Sequence, residues 1–64
     1  MAIETDQSDV DVQDAILDAK VGPLVKGVNR LGHDQPVMVE TNKPDTQDQT
    51  VAEALANLGF TVLA

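Results

Sequence analysis

Thr46-Gln-Asp-Gln-Thr-Val-Ala-Glu-Ala-Leu-Ala-Asn-Leu-Gly-Phe-Thr-Val-Leu-Ala64 reads as a helix that stops at Gly59 and turns directly into a short strand. Thr46 suits the N-cap, because its hydroxyl accepts from a free backbone N–H in the first turn. Gln49 follows at capping-box spacing. Asp45 and Asp48 place negative charge at the positive end of the helix dipole. Val51, Ala54, Leu55 and Leu58 follow the i, i+3, i+4, i+7 rule and form one apolar stripe. Gly59 provides the left-handed residue of a Schellman ending, and Phe60 falls where it covers Leu55. Residues 60–63 form an almost continuous apolar run, the pattern of a buried strand.

Working back along the chain, Asn42-Lys43-Pro44-Asp45 is a loop. Pro36-Val-Met-Val-Glu-Thr41 is the best strand, with proline at the position a strand tolerates. Met38 is assigned to the core; Glu40 shares its parity and reaches solvent only if the strand bulges or ends there. Gly22-Pro23 opens a helix over 23–31. Proline stands at N1, Leu24, Val25, Val28 and Leu31 form a stripe, and Gly32 ends the helix. Residues 8–20 admit two readings. As a helix, Ser8 caps it and Val12, Ala15, Ile16 and Ala19 share a face. As a strand, the extended part is 15–19. Local propensity favours the helix. Residues 1–7 have little to bury and are expected to be a flexible acidic tail.

These elements make a single small α+β domain over 8–64. The expected architecture is a two-layer sandwich of βαβαβ-like order. A small sheet holds 36–41, 60–63 and, on one reading, 15–19, and helices 23–31 and 46–58 cover one of its faces.

Composition limits the function classes. The chain has 64 residues, no cysteine and one histidine, so it offers no disulfide, no thiolate metal site and no cysteine nucleophile. Its net charge is −7 and Phe60 is its one aromatic residue, which argues against nucleic acid and against anionic membrane surfaces. No apolar run approaches the ~20 residues of a membrane span, and the acidic N-terminal segment does not read as a signal peptide, so a cytoplasmic setting is expected. Basic residues are confined to Lys20, Lys26, Arg30 and Lys43. Many Asp and few Lys fit a halophilic protein, and they equally fit a well-solvated acidic surface.

Candidate sites are sparse. Lys26, Arg30 and Lys43 form a possible basic patch for an anion or an acidic partner; their alternative role is to balance local carboxylates and a helix end. Asp9, Asp11 and Asp14 are spaced like a cation loop, but there is no central glycine, and Lys20 stands where the bidentate Glu belongs. His33-Asp34 is a turn pair with no nucleophile beside it. The glycines fit no phosphate-binding loop. No cofactor or metal is expected.

Ile16-Leu17-Asp18-Ala19, Gly22-Pro23-Leu24-Val25-Lys26 and the stretch from Val37 to Leu63 together resemble the TusA-like (SirA-type) sulfur-carrier family. The resemblance implies a two-layer α/β fold whose opening strand lies at 15–19 and whose first helix starts at Pro23. That family carries sulfur on a cysteine in a Cys-Pro-x-Pro motif. Only Lys20-Val21-Gly22 lies between Ala19 and Pro23, and a persulfide needs a thiolate, so the activity does not transfer. The expected function is a non-catalytic protein-interaction or assembly module, with self-association or a protein partner. The alternatives are a structural subunit of a larger particle, such as a virion or multiprotein complex, and a regulatory relic of a sulfur carrier.

Overall fold

The computed structural model describes residues 1–63. The elements are β1 (Ala2–Glu4), α1 (Asp9–Asp18), a 3₁₀ turn (Gly22–Leu24), β2 (Val25–Asn29), β3 (Val37–Thr41), α2 (Pro44–Asn57) and β4 (Thr61–Leu63). The strands form one antiparallel sheet in the order β2-β3-β1-β4. β1 and β2 therefore run parallel with β3 between them, and β3 and β4 run parallel with β1 between them. This is the β-α-β-β-α-β order of two interleaved split βαβ units, the ferredoxin-like arrangement. The fold is α+β, with both helices packed on one face of the sheet.

Ile3, Val12, Ile16, Val21, Val37, Val39, Val51 and Leu55 form a single core between the sheet and the helices. Thr41 is buried with them, and its hydroxyl donates to Asp48 Oδ1 at 2.5 Å, tying β3 to α2. A buried hydroxyl left unpaired would be costly, so this bond satisfies the one buried polar side chain among the described residues.

Residues 1–7 are not a free tail. Ala2–Glu4 is a central strand, and Ile3, fully buried, pairs with Val37 on one side and Val62 on the other. Strands β3 and β4 supply what the short segment lacks by itself, namely partners for its backbone and an apolar surface for Ile3.

Residues 8–20 take the helical reading. Ser8 is the N-cap, and its Oγ accepts from the Asp11 N–H at 3.2 Å. Val12 and Ile16 face the core. The strand expected at 15–19 is the second half of this helix.

The helix expected over 23–31 is instead the 3₁₀ turn followed by β2. The apolar spacing fits both structures. Val25 pairs with Thr41 and Val28 with Val39, both on the core face, because a bulge at Lys26 inserts one extra residue between Val25 and Gly27. A bulged strand thus puts residues three apart on one side, as a helix does. The β-branched Val25 and Val28 favour the extended state, Gly27 disfavours a helix, and Leu31, the last of the stripe, is 86% exposed.

Helix α2 starts at Pro44, two residues before the expected cap. Lys43 is the N-cap, and the Gln47 side chain accepts from the Lys43 N–H at 2.9 Å, so neither Thr46 nor Gln49 has the capping role. Proline is well placed at N1. Val51 and Leu55 are buried, whereas Leu58 is exposed. The C-terminal end is as expected. Gly59 has φ +98°, its N–H donates to Ala56 O, and the Phe60 N–H donates to Leu55 O. Those two bonds define a Schellman motif.

Helix α1 closes the same way without a glycine. Lys20 takes φ +63°, its N–H donates to Leu17 O, and the Val21 N–H donates to Ile16 O. β4 is an edge strand rather than a buried one. Only Val62 turns inward, and Leu63 stays 37% exposed. Ala64 lies outside the described residues.

Candidate functional site

The helices leave the second face of the sheet without a cover. Strand alternation and register decide what that face carries. Directly paired residues of antiparallel strands point to the same side. Asn29 pairs with Met38, Met38 with Ala2, and Ala2 with Leu63, so these residues form one row across all four strands. From β3 to the β4 edge it is apolar: Met38 is 41% exposed, Leu63 37%, and Ala2 lies half-buried between them. Met38 therefore faces outward, not into the core. Val37, Val39 and Thr41 take the inward parity, which leaves Glu40 exposed with no need for a bulge in β3.

Two further rows flank this one. On one side Glu4 pairs with Thr61. On the other Glu40 pairs with Gly27, and the Lys26 ammonium stands 3.8 Å from the Glu40 carboxylate. Both members of that ion pair are well exposed, so the pair adds little stability. Its local charge is near zero. The Glu4 side is different. There the face opens into a cleft of about 710 Å³ lined by the carboxylates Glu4, Asp6 and Asp34 with His33 beside them, and Thr61 and Leu63 join it to the apolar row. The exposed face is thus apolar in the middle, acidic at one end and charge-balanced at the other.

The expected basic patch does not assemble. Lys26 is engaged with Glu40. Arg30 lies at the opposite end of β2, where its Nη2 donates to Thr5 O and to Gln7 O, each at 2.6 Å. It holds the β1–α1 loop against the sheet, and its Nε is enclosed with no partner among the described residues. Lys43 caps α2. The carboxylates spaced like a cation loop lie on α1, with Asp9 and Asp11 in its first turn, where they complement the helix dipole. No group of three His, Asp or Glu among the described residues is placed to hold a metal ion. His33 and Asp34 sit exposed in the β2–β3 connection and line the acidic cleft.

The row of Ala2, Met38 and Leu63 was legible in part. The alternation Val37-Met38-Val39-Glu40-Thr41 identifies two faces, and β-branched residues at 37, 39 and 41 mark the inner one. The contributions of Ala2 and Leu63 depend on a pairing that local pattern does not encode.

No helix among the described residues is long and apolar enough to cross a membrane. No family model, no curated protein and no solved structure matches the chain.

Proposed function

We propose that this chain is a small, non-catalytic protein-interaction module that binds its partner through the uncovered face of the sheet. The observation that carries the proposal is the apolar row of Met38, Ala2 and Leu63, partly exposed and running from β3 to the β4 edge on a face that neither helix roofs. An apolar centre within a polar rim is the usual anatomy of a recognition surface. The row is short. A standard interface takes about 800 Å² from each partner, which would be roughly a fifth of this chain's 4217 Å² surface. A few apolar side chains favour reversible binding over permanent assembly into a particle. Charge favours a different protein over a second copy, since face-to-face pairing of two −7 chains would oppose carboxylates. The sulfur-carrier resemblance adds no support, because its opening strand and first helix are a helix and a strand in this chain.

A photo-crosslinking residue at position 38, compared with one at the exposed position 57 on the helix layer, tests this in the native cell. The expected result is a discrete adduct with another protein from position 38 and none from position 57. Equal labelling from both positions refutes the binding face, and a self-adduct alone from position 38 refutes a different protein as the partner.

A further inference from the structure

The shape and charge of the uncovered face specify what kind of segment fits it. The apolar row runs across the strands, not along them. Three strands at a spacing of about 4.8 Å place Met38 and Leu63 roughly 10 Å apart, with Ala2 midway. A helix laid along the row covers that distance in two turns, since residues i and i+7 are separated by about 10.5 Å. Anchors at i, i+3 or i+4, and i+7 would meet Met38, Ala2 and Leu63 in turn. An extended segment on the same face would leave its backbone N–H and C=O groups without partners, because the sheet's own backbone bonds lie in its plane; a helix satisfies its own. One flank of the row carries Glu4, about 6.7 Å away along the strand, and beyond it the cleft with Asp6 and Asp34. The other flank is balanced by the Lys26–Glu40 pair.

We infer that the occupant of this face is a basic amphipathic helix. Its apolar stripe lies across β3, β1 and β4, and lysines or arginines along one edge of that stripe reach the Glu4–Asp6–Asp34 cleft. This rests on the binding-module reading and names the class of partner. Complementary charge fixes which way round the helix lies and speeds encounter, while the apolar stripe provides the contact area.

A capped Leu/Lys peptide of about 18 residues, which spans about 27 Å as a helix and so covers the row, serves as the probe. Its control is an isomer of the same composition with the residues permuted to abolish the apolar stripe. Both are titrated into the full chain at physiological ionic strength, followed by amide NMR shifts and by circular dichroism. The expected result is saturable one-to-one binding of the amphipathic peptide, with gain of helix and shifts centred on Ala2, Glu4, Met38 and Leu63. The isomer should bind at least about tenfold more weakly. Glu4→Lys should weaken binding at least about fivefold, and Met38→Asp at least about tenfold, whereas Asp14→Lys on the exposed side of α1 should change it less than about twofold. Asp14→Lys alters net charge as much as Glu4→Lys does, so it separates the cleft from general attraction. Equal binding of the two isomers, or equal effects of Glu4→Lys and Asp14→Lys, overturns the inference. Shifts confined to the β2 or β4 edge amides would mean strand addition and also overturn it. A partner adduct from position 38 alongside failure of the peptide would reject the helical occupant and leave the binding module standing.

Discussion

Replacing Ile3 by alanine tests the feature on which the sheet depends. Ile3 is fully buried, between Val37 and Val62 on the central strand. The change removes three carbons, worth about 2.4 kcal/mol at roughly 0.8 kcal/mol per buried CH₂. A cavity then remains between the sheet and the helices, and for isoleucine-to-alanine changes the total reaches about 2–5 kcal/mol. At roughly 0.05–0.15 kcal/mol per residue, a 64-residue domain has a total stability of about 3–10 kcal/mol. Ile3→Ala should therefore remove a large fraction of it and can unfold the chain outright. Ile3→Val is the graded companion, with an expected loss of about 0.5–1.5 kcal/mol and a Tm lower by some 2–12 °C. The assay is urea and thermal unfolding by far-UV circular dichroism, since the chain has no Trp or Tyr. Leu31→Ala, at a site 86% exposed, is the reference and should stay within about 0.5 kcal/mol of the parent. If Ile3→Ala matched Leu31→Ala at an unchanged m-value, β1 would not be part of the core and the strand order β2-β3-β1-β4 would be wrong.

Three further outcomes are expected in the same unfolding assay. Arg30→Ala should cost about 1.5–3 kcal/mol, because the bonds to Thr5 O and Gln7 O are charge-assisted, and Arg30→Lys should recover only part of it, having the charge without the planar fork; a loss under about 0.5 kcal/mol would show that the loop does not depend on Arg30. The two helix ends should respond in opposite directions: Lys20→Gly should stabilise and Gly59→Ala destabilise, each by about 1 kcal/mol, since both positions have positive φ. The same sign at both sites would contradict the shared Schellman geometry. Raising KCl from 0.1 to 1 M shortens the Debye length from about 10 to 3 Å. With a net charge of −7 and a single close ion pair among the described residues, screening should relieve more repulsion than attraction, and the urea midpoint should rise; a fall would refute that balance.

Sequence by itself determined the elements that rest on local chemistry. Ser8 caps α1 because its hydroxyl meets a free N–H three residues on. Gly59 ends α2 because only glycine takes positive φ without a Cβ clash. The strand at 37–41 follows from its β-branched residues, and the α+β class from the mixture of these elements. The left-handed Lys20 carries no local sequence signal, and it is held there by the packing of Val21. Tertiary structure alone decided the rest. Val25 and Val28 fit a helix stripe and a bulged strand equally well, and only pairing with Thr41 and Val39 selects the strand. Ile3 has too few neighbours in sequence to define a strand, and acquires one from β3 and β4, more than thirty positions away. The uncovered row of Met38, Ala2 and Leu63 belongs to the same class. Its members are spread over the whole chain, and register between strands is a long-range choice, made where it buries the most apolar surface on the helix side.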